Sequence, residues 1–287
     1  PPPKPPTGRR SAPTAVPGPN DDPWSVSDFT QKPSFNFYFR DDFGGDPLEW
    51  PLFPNYPVTA FHDMRMRAGK NDPTNPFIED EYMRRLYIST GQQGSRGMIN
   101  TLFINGRYKG YYNLCEHVRE DFLQRHHGGS ASWDVIQVTT VASGDSLSFQ
   151  EMITYLRNNP QGTLANYQGM KTRLDMVNFV DYLLTNIVGN TGDWPHNNFI
   201  CAHERVVGGL HRYYLWDAEG AFGDFGGNVM TNMFTPGTTG SIVTTNPNGV
   251  GLNEGIRILY TLLRASPEFK LLFADRIQKP FFNGGAF

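Results

Sequence analysis

The residues able to do chemistry gather in two short stretches, Gly189-Asn190-Thr191-Gly192-Asp193-Trp194-Pro195-His196-Asn197-Asn198-Phe199-Ile200 and Tyr213-Tyr214-Leu215-Trp216-Asp217-Ala218-Glu219-Gly220. In the first, an apolar helical run ends at Gly189 and a polar turn leads into a strand, so Asp193 and Asn198 fall where a loop becomes a strand. In the second, an apolar strand delivers Asp217 at its end. The two aspartates are 24 residues apart with one hairpin between them. Magnesium-dependent phosphoryl transfer needs this set of groups. One carboxylate orients the attacking hydroxyl, while an amide five residues on and a second carboxylate offer hard oxygens to a cation that bridges phosphates. The spacing alone also fits a turn-forming Asp193 and a strand-capping Asp217, because D-x-x-x-x-N recurs by chance.

The elements that must position these groups can be read from periodicity. Ser34 to Arg40 carries Phe35, Phe37 and Phe39 with period two, which predicts a half-buried strand. His62 to Ala68 is a second alternating strand. Pro76 to Tyr87 reads as a helix with Glu79, Asp80 and Glu81 in its first turns and with Arg84 and Arg85 on a solvated face. Met98–Ile104 and Tyr108–Leu114 flank Asn105-Gly106, the strongest short hairpin signal. A short helix (118–126), a strand (133–138) and two helices (149–157 and 174–187) follow. Phe199–Ala202 and Leu210–Trp216 form a β-pair, 223–252 is a Gly, Thr, Asn and Pro-rich loop, and two closing helices begin at Ile256 and Pro267. The order predicts an α+β fold: antiparallel strands first, then a mostly helical part with an embedded β-hairpin.

Composition narrows the function classes. The chain has 287 residues, enough for one large domain or two small ones. At a net charge of −3 it has no global basic field for a nucleic-acid backbone, so no nucleic-acid partner is expected. Cys115 and Cys201 cannot make a disulfide framework and read as small buried apolar groups. No apolar run is long enough for a membrane helix, and no signal-peptide h-region is present. Eight of the first twenty residues are Pro, so residues 1–24 read as a tail or linker.

Protein kinases place a catalytic Asp and an Asn as D-x-x-x-x-N, with a metal-binding Asp after a following hairpin. Asp193, Asn198 and Asp217 reproduce that order without the letters H-R-D. Asp224-Phe225-Gly226 spells D-F-G literally, but no apolar strand leads into it, so Asp217 is the expected metal ligand. Several further segments, in order, carry a more specific resemblance. They are Lys32-Pro33-Ser34-Phe35, Arg67-Ala68-Gly69-Lys70-Asn71-Asp72, the Asn105 to Glu116 hairpin, the Asn190 to Asn198 turn and Trp216-Asp217-Ala218-Glu219-Gly220-Ala221-Phe222-Gly223. From about Lys32 to Phe282 the chain resembles the CotH-type spore-coat protein kinases, an atypical branch with a kinase-like fold.

The resemblance implies a CotH-like kinase domain over 25–287, lacking the strands that usually precede this point in the family. It implies ATP and Mg²⁺ or Mn²⁺ as cofactors and a protein Ser or Thr hydroxyl as acceptor. It assigns Asp193 as the catalytic residue and Asn198 and Asp217 as the metal ligands. Lys32 looks like the phosphate-contacting lysine, and Glu116 like the acid that pairs with it or with the metal shell. Arg67 is expected to face the site, and Glu219 reads either as a further carboxylate near the metal or as an exposed loop acid. Asp72 reads as a helix cap. The family suggests a spore-coat, cell-surface or extracellular setting. Two alternatives stay open: a non-catalytic surface or adhesion module on the same fold, and a carbohydrate hydrolase using two of the acids. Nucleotide binding separates the first from a kinase.

Overall fold

A computed structural model of the chain describes residues 32–69, 78–128, 132–223, 228–234 and 251–282, with 284, 285 and 287. The Pro-rich tail, Lys70 to Asp72, the start of the helix expected from Pro76, Asp224 to Gly226 and most of the 223–252 loop lie outside the described residues.

In chain order the strands and α-helices are Phe35–Tyr38 (β1), Leu48–Glu49 (β2), Ala60–Phe61 (β3), Asp63–Arg67 (β4), Glu79–Ser89 (α1), Gly97–Ile104 (β5), Arg107–Glu116 (β6), Glu120–His127 (α2), Trp133–Gln137 (β7) and Thr140–Ser143 (β8). Then come Leu147–Asn158 (α3), Leu164–Lys171 (α4), Met176–Val188 (α5), Phe199–Glu204 (β9), His211–Leu215 (β10), Val229–Phe234 (α6), Gly255–Leu263 (α7) and Pro267–Phe281 (α8). The fold is α+β with antiparallel sheets. One sheet has the order β1-β4-β6-β5, the other β10-β9-β7-β8, and β2 pairs with β3.

The Asn105-Gly106 turn forms as expected, with both residues at positive φ (51° and 76°) between β5 and β6. The expected β9–β10 pair is half of a four-stranded sheet, because β7 adds to β9 and β8 to β7. Both faces of this sheet are covered. Ile136, Phe199, Cys201, Tyr213 and Leu215 join the main core around α5, while Val135, Ile200, Ala202 and Tyr214 pack with Phe122 and Leu123 of α2. Burial on both faces explains why these strands read as continuous apolar runs rather than alternating ones. Cys115 and Cys201 are both free and buried.

Local chemistry sets the helix ends. The Asp175 side chain accepts from the Asn178 N–H and caps α5, and Ser266 caps α8 with Pro267 in its first turn. Two expectations fail. Phe37 is exposed at 37% on the edge strand β1, where Phe35 is partly buried, and Phe39 lies just past the end of the strand. Arg84 is 2% exposed rather than solvated, since α1 turns it inward to Asp80, Glu81 and Asn113 while Arg85 stays outside.

Candidate active site

The loop after α5 is fixed by two contacts. A Cβ at Gly189 would overlap the end of the buried Met83 side chain of α1, which would have to move to admit it. Five residues on, Trp194 is fully buried and its indole N–H donates to the Tyr182 hydroxyl at 2.8 Å. Between and beyond these anchors the backbone is unusual. Asn190, Asp193, Asn198, Asp217 and Phe222 all have φ between 42° and 57°, five of the eight non-glycine residues at positive φ among the described residues. Asn and Asp tolerate this region better than other L-residues, and such conformations cluster at functional sites.

Asp193 stands at the surface of this loop with 41% of its side chain exposed, open to an incoming group. Its carboxylate accepts from Asn197 Nδ2 at 2.6 Å and lies 3.2 Å from His196 Nε2. The His196 bond, and then that of Asn197, hold its pKa below the usual carboxylate range against partial burial, which acts the other way. Asn198 is half-buried, and its amide makes no hydrogen bond among the described residues.

The β9–β10 register brings the two stretches together. Phe199 pairs with Leu215, so Asn198 and Asp217 leave the same end of the hairpin. A hydrogen bond from Gly192 N–H to the Gly220 carbonyl (2.7 Å) ties the Asp193 loop to the Asp217 loop. Three sequence-predicted residues, Asp193, Asn198 and Asp217, therefore share one end of one hairpin.

Arg67 enters from the other sheet. It is 7% exposed and forms ion pairs with both Asp217 and Glu219, and its Nε lies 3.4 Å from Asp80 Oδ2 on α1. Asp80 also takes the Ala218 backbone N–H (2.9 Å) and Arg84 Nε (3.2 Å). Burial alone would lower the pKa of Arg67, but Asp80, Asp217 and Glu219 hold it well above its ordinary value. Burial would likewise raise that of Asp80, but Arg67, Arg84 and the Ala218 N–H hold it below its ordinary value. In protein kinases a strand cation paired with a helix acid serves the nucleotide phosphates. Here Arg67 of β4 is paired with Asp80 of α1, a strand cation beside a helix acid, and the Asp217 loop closes over them. Sequence reading missed Asp80. Its signal was Asp80 and Glu81 followed by Arg84 and Arg85 at i+3 and i+4, a pattern of paired rather than free charges.

Lys32 and Glu116 are not brought to this cluster. The β4–β6 register sets Arg67 opposite Asn113 and Met64 opposite Glu116, so Arg67 and Glu116 project from opposite faces of the sheet. Glu116 is fully buried, accepts from the Tyr56 hydroxyl at 3.0 Å and from the Arg96 N–H at 3.1 Å, and faces His126 at 3.4 Å. Lys32 donates to the Tyr111 carbonyl and lies 4.3 Å from the centre of the Tyr112 ring, with its pKa lowered to about 8 by burial.

The donor set can be tested for fit to a cation. Asn198, Asp217 and Glu219 supply hard oxygens, the class that Mg²⁺ takes, and Mg²⁺ commonly uses one or two carboxylates with phosphates and water completing the shell. No group of three His, Cys, Asp or Glu side chains makes a metal site by itself among the described residues. The residues fit a cation held jointly with phosphates rather than a closed protein cage.

A sequence profile of the CotH kinase protein family matches residues 25–281, and the chain belongs to that family. No curated protein matches it. Among the described residues no helix is long and apolar enough to cross a membrane.

Proposed function

We propose that this protein is a Mg²⁺-dependent (or Mn²⁺-dependent) protein kinase of atypical, kinase-like fold that transfers the ATP γ-phosphoryl group to a Ser or Thr hydroxyl. The observation that carries the reading is the meeting of Asp193, Asn198 and Asp217 at one end of the β9–β10 hairpin, with the Arg67 guanidinium against Asp217. The cation, held by Asn198 and Asp217, would neutralise charge on the phosphates. Asp193, kept ionised by His196 and Asn197, orients the acceptor hydroxyl and takes its proton. Arg67, anchored by Asp80, is the cation placed to meet phosphate oxygens, because its planar fork matches them. Most of the acceleration then comes from positioning and charge stabilisation. Family membership favours a coat or cell-surface protein as substrate, in a spore-coat or extracellular setting.

A second reading, a non-catalytic surface or adhesion module, is favoured by one observation. Arg67 already pairs with both Asp217 and Glu219, the carboxylates a cation would need. Incubation with γ-labelled ATP and Mg²⁺ or Mn²⁺, beside Asp217→Asn, decides between them. Label on the native chain that disappears in the variant supports the kinase. No label and no ATP-induced thermal shift supports the module.

A further inference from the structure

A cavity of about 510 Å³ opens between α1, the loop joining β2 to β3 and the start of β5. Neither Arg67, Asp80 nor Asp217 lines it. Phe53, Ile88 and Met98 give it an apolar wall, and Arg85, Ser89 and Arg96 a polar one. Its volume suits a small organic group rather than a bare ion.

The two arginines are set by their own neighbours. Successive side chains on α1 point about 100° apart, so Arg84 turns inward while Arg85 faces out. Arg85 Nε donates to Glu81 Oε1 at 2.6 Å and its Nη2 to the Gly97 carbonyl at 3.3 Å, with 67% of the side chain exposed. Glu81 is shared with Arg84 at 2.9 Å, so it offsets only part of the Arg85 charge. Arg96 is fixed at both ends. Its backbone N–H donates to Glu116 Oε2 at 3.1 Å, and its guanidinium lies 4.4 Å from the centre of the Tyr56 ring. The Tyr56 hydroxyl donates to the same buried carboxylate at 3.0 Å, which holds that ring in place. Stacking occupies the face of a guanidinium and leaves its in-plane N–H donors for other partners. Those of Arg96 make no hydrogen bond or ion pair among the described residues. The cavity thus sets two guanidinium forks and a surplus of positive charge beside an apolar wall. A phosphate dianion can accept from two forks at once, whereas a carboxylate fills one.

We infer that this cavity docks a phosphoserine residue of a peptide, with the phosphate between Arg85 and Arg96 and a neighbouring apolar side chain against Phe53, Ile88 and Met98. It stands apart from the catalytic reading above, which produces phosphoserine or phosphothreonine but uses none of these residues.

The test is calorimetry on the full chain without ATP or Mg²⁺, so that its outcome is independent of phosphoryl transfer. The probes are a capped pentapeptide with phosphoserine beside leucine, the same peptide with serine or with glutamate in that place, and inorganic phosphate. The phosphopeptide is expected to bind at least about tenfold tighter than the other three. Arg85→Met and Arg96→Met, with melting temperatures near that of the native chain, should each weaken it about tenfold, the worth of a charge-assisted hydrogen bond. Equal binding of the serine or glutamate peptide, or inorganic phosphate binding as tightly as the phosphopeptide, overturns the assignment. So does phosphopeptide binding that both variants leave unmoved, since the phosphate then sits elsewhere, as at Arg67. Phosphopeptide binding as expected from a chain that takes no label from ATP keeps this site and sinks the catalytic reading instead.

Discussion

Arg67 and Asp217 stand 150 residues apart in the chain and meet as an ion pair beneath Trp216. The pair joins the two sheets, because Arg67 belongs to the β1-β4-β6-β5 sheet and Asp217 follows β10 of the other. The carboxylate expected to hold a cation is thus preset by a guanidinium.

Replacing Asp217 by Asn keeps the shape and removes the charge. Phosphoryl transfer should fall at least ~10²-fold, in line with deleting one group that stabilises a charged transition state. Arg67 keeps Asp80 and Glu219, so the melting temperature should hardly move. A large fall in melting temperature with activity retained would make Asp217 a structural residue.

Removing Asp80 should do the opposite. It is buried between Arg67 and Arg84, and losing one member of a buried charge cluster costs about 3–5 kcal/mol. Asp80→Ala should therefore unfold at markedly lower urea than the native chain, measured by circular dichroism. An unchanged midpoint would show that the two arginines find other partners.

The two candidate phosphate cations should separate cleanly. Arg67→Met is expected to cost ~10²-fold or more in turnover, whereas Lys32→Met, on the opposite face of the sheet, should change it by less than about threefold. Comparable losses in steady-state assays would mean that Lys32 reaches the phosphates after all.

Stability should fall on mild acidification. Burial, chiefly, lowers the pKa of His211 to about 4, well below the ordinary 6.5. The unfolded chain takes up a proton as pH drops below about 6.5 while the folded one stays neutral, so stability is complete above that pH and is lost between about 6.5 and 4. From pH 7 to 5 the part of this loss carried by His211 is about 2 kcal/mol, read as a shift in urea midpoint. His211→Gln should flatten this slope by that amount.

Asp193 has the reverse sign. Its lowered pKa contributes stability above the ordinary carboxylate range, lost only as pH falls through the lowered value. It should stay ionised at pH 5, and His196→Ala should move its carboxyl ¹³C titration upward towards about 3.9. A titration unmoved by that change would remove His196 from the account.

Much of this was legible in sequence because it is local. The Asn105-Gly106 hairpin, the α5 run ending at Gly189 and the Asp193 to Asn198 turn are each set by neighbours within a dozen residues. The β9–β10 hairpin fixed the relation of Asn198 to Asp217 by register alone. What could not be read depends on which face a residue takes once distant strands pair. The family resemblance pointed to Lys32 and Glu116 as site residues, yet the β4–β6 register turns Glu116 away from Asp217. Arg84 looked like surface because its partners, Asp80 apart, include Asn113 on a strand that forms later in the chain. The β8 strand and its place beside β7 left no clear periodic signal, being four residues long.

The 150-residue separation of Arg67 from Asp217 also orders events during synthesis. Domains fold as the chain emerges, N-terminal parts first. Arg67 and Arg84 can neutralise Asp80 and Glu81 while the first sheet assembles, so no bare buried charge waits in the nascent protein. Asp217 and Glu219 arrive only after the first sheet is complete. A ribosome-bound chain that stops short of them can hold a complete first sheet, with Arg67 and Asp80 already paired, while the partners of Arg67 from the second sheet are still missing.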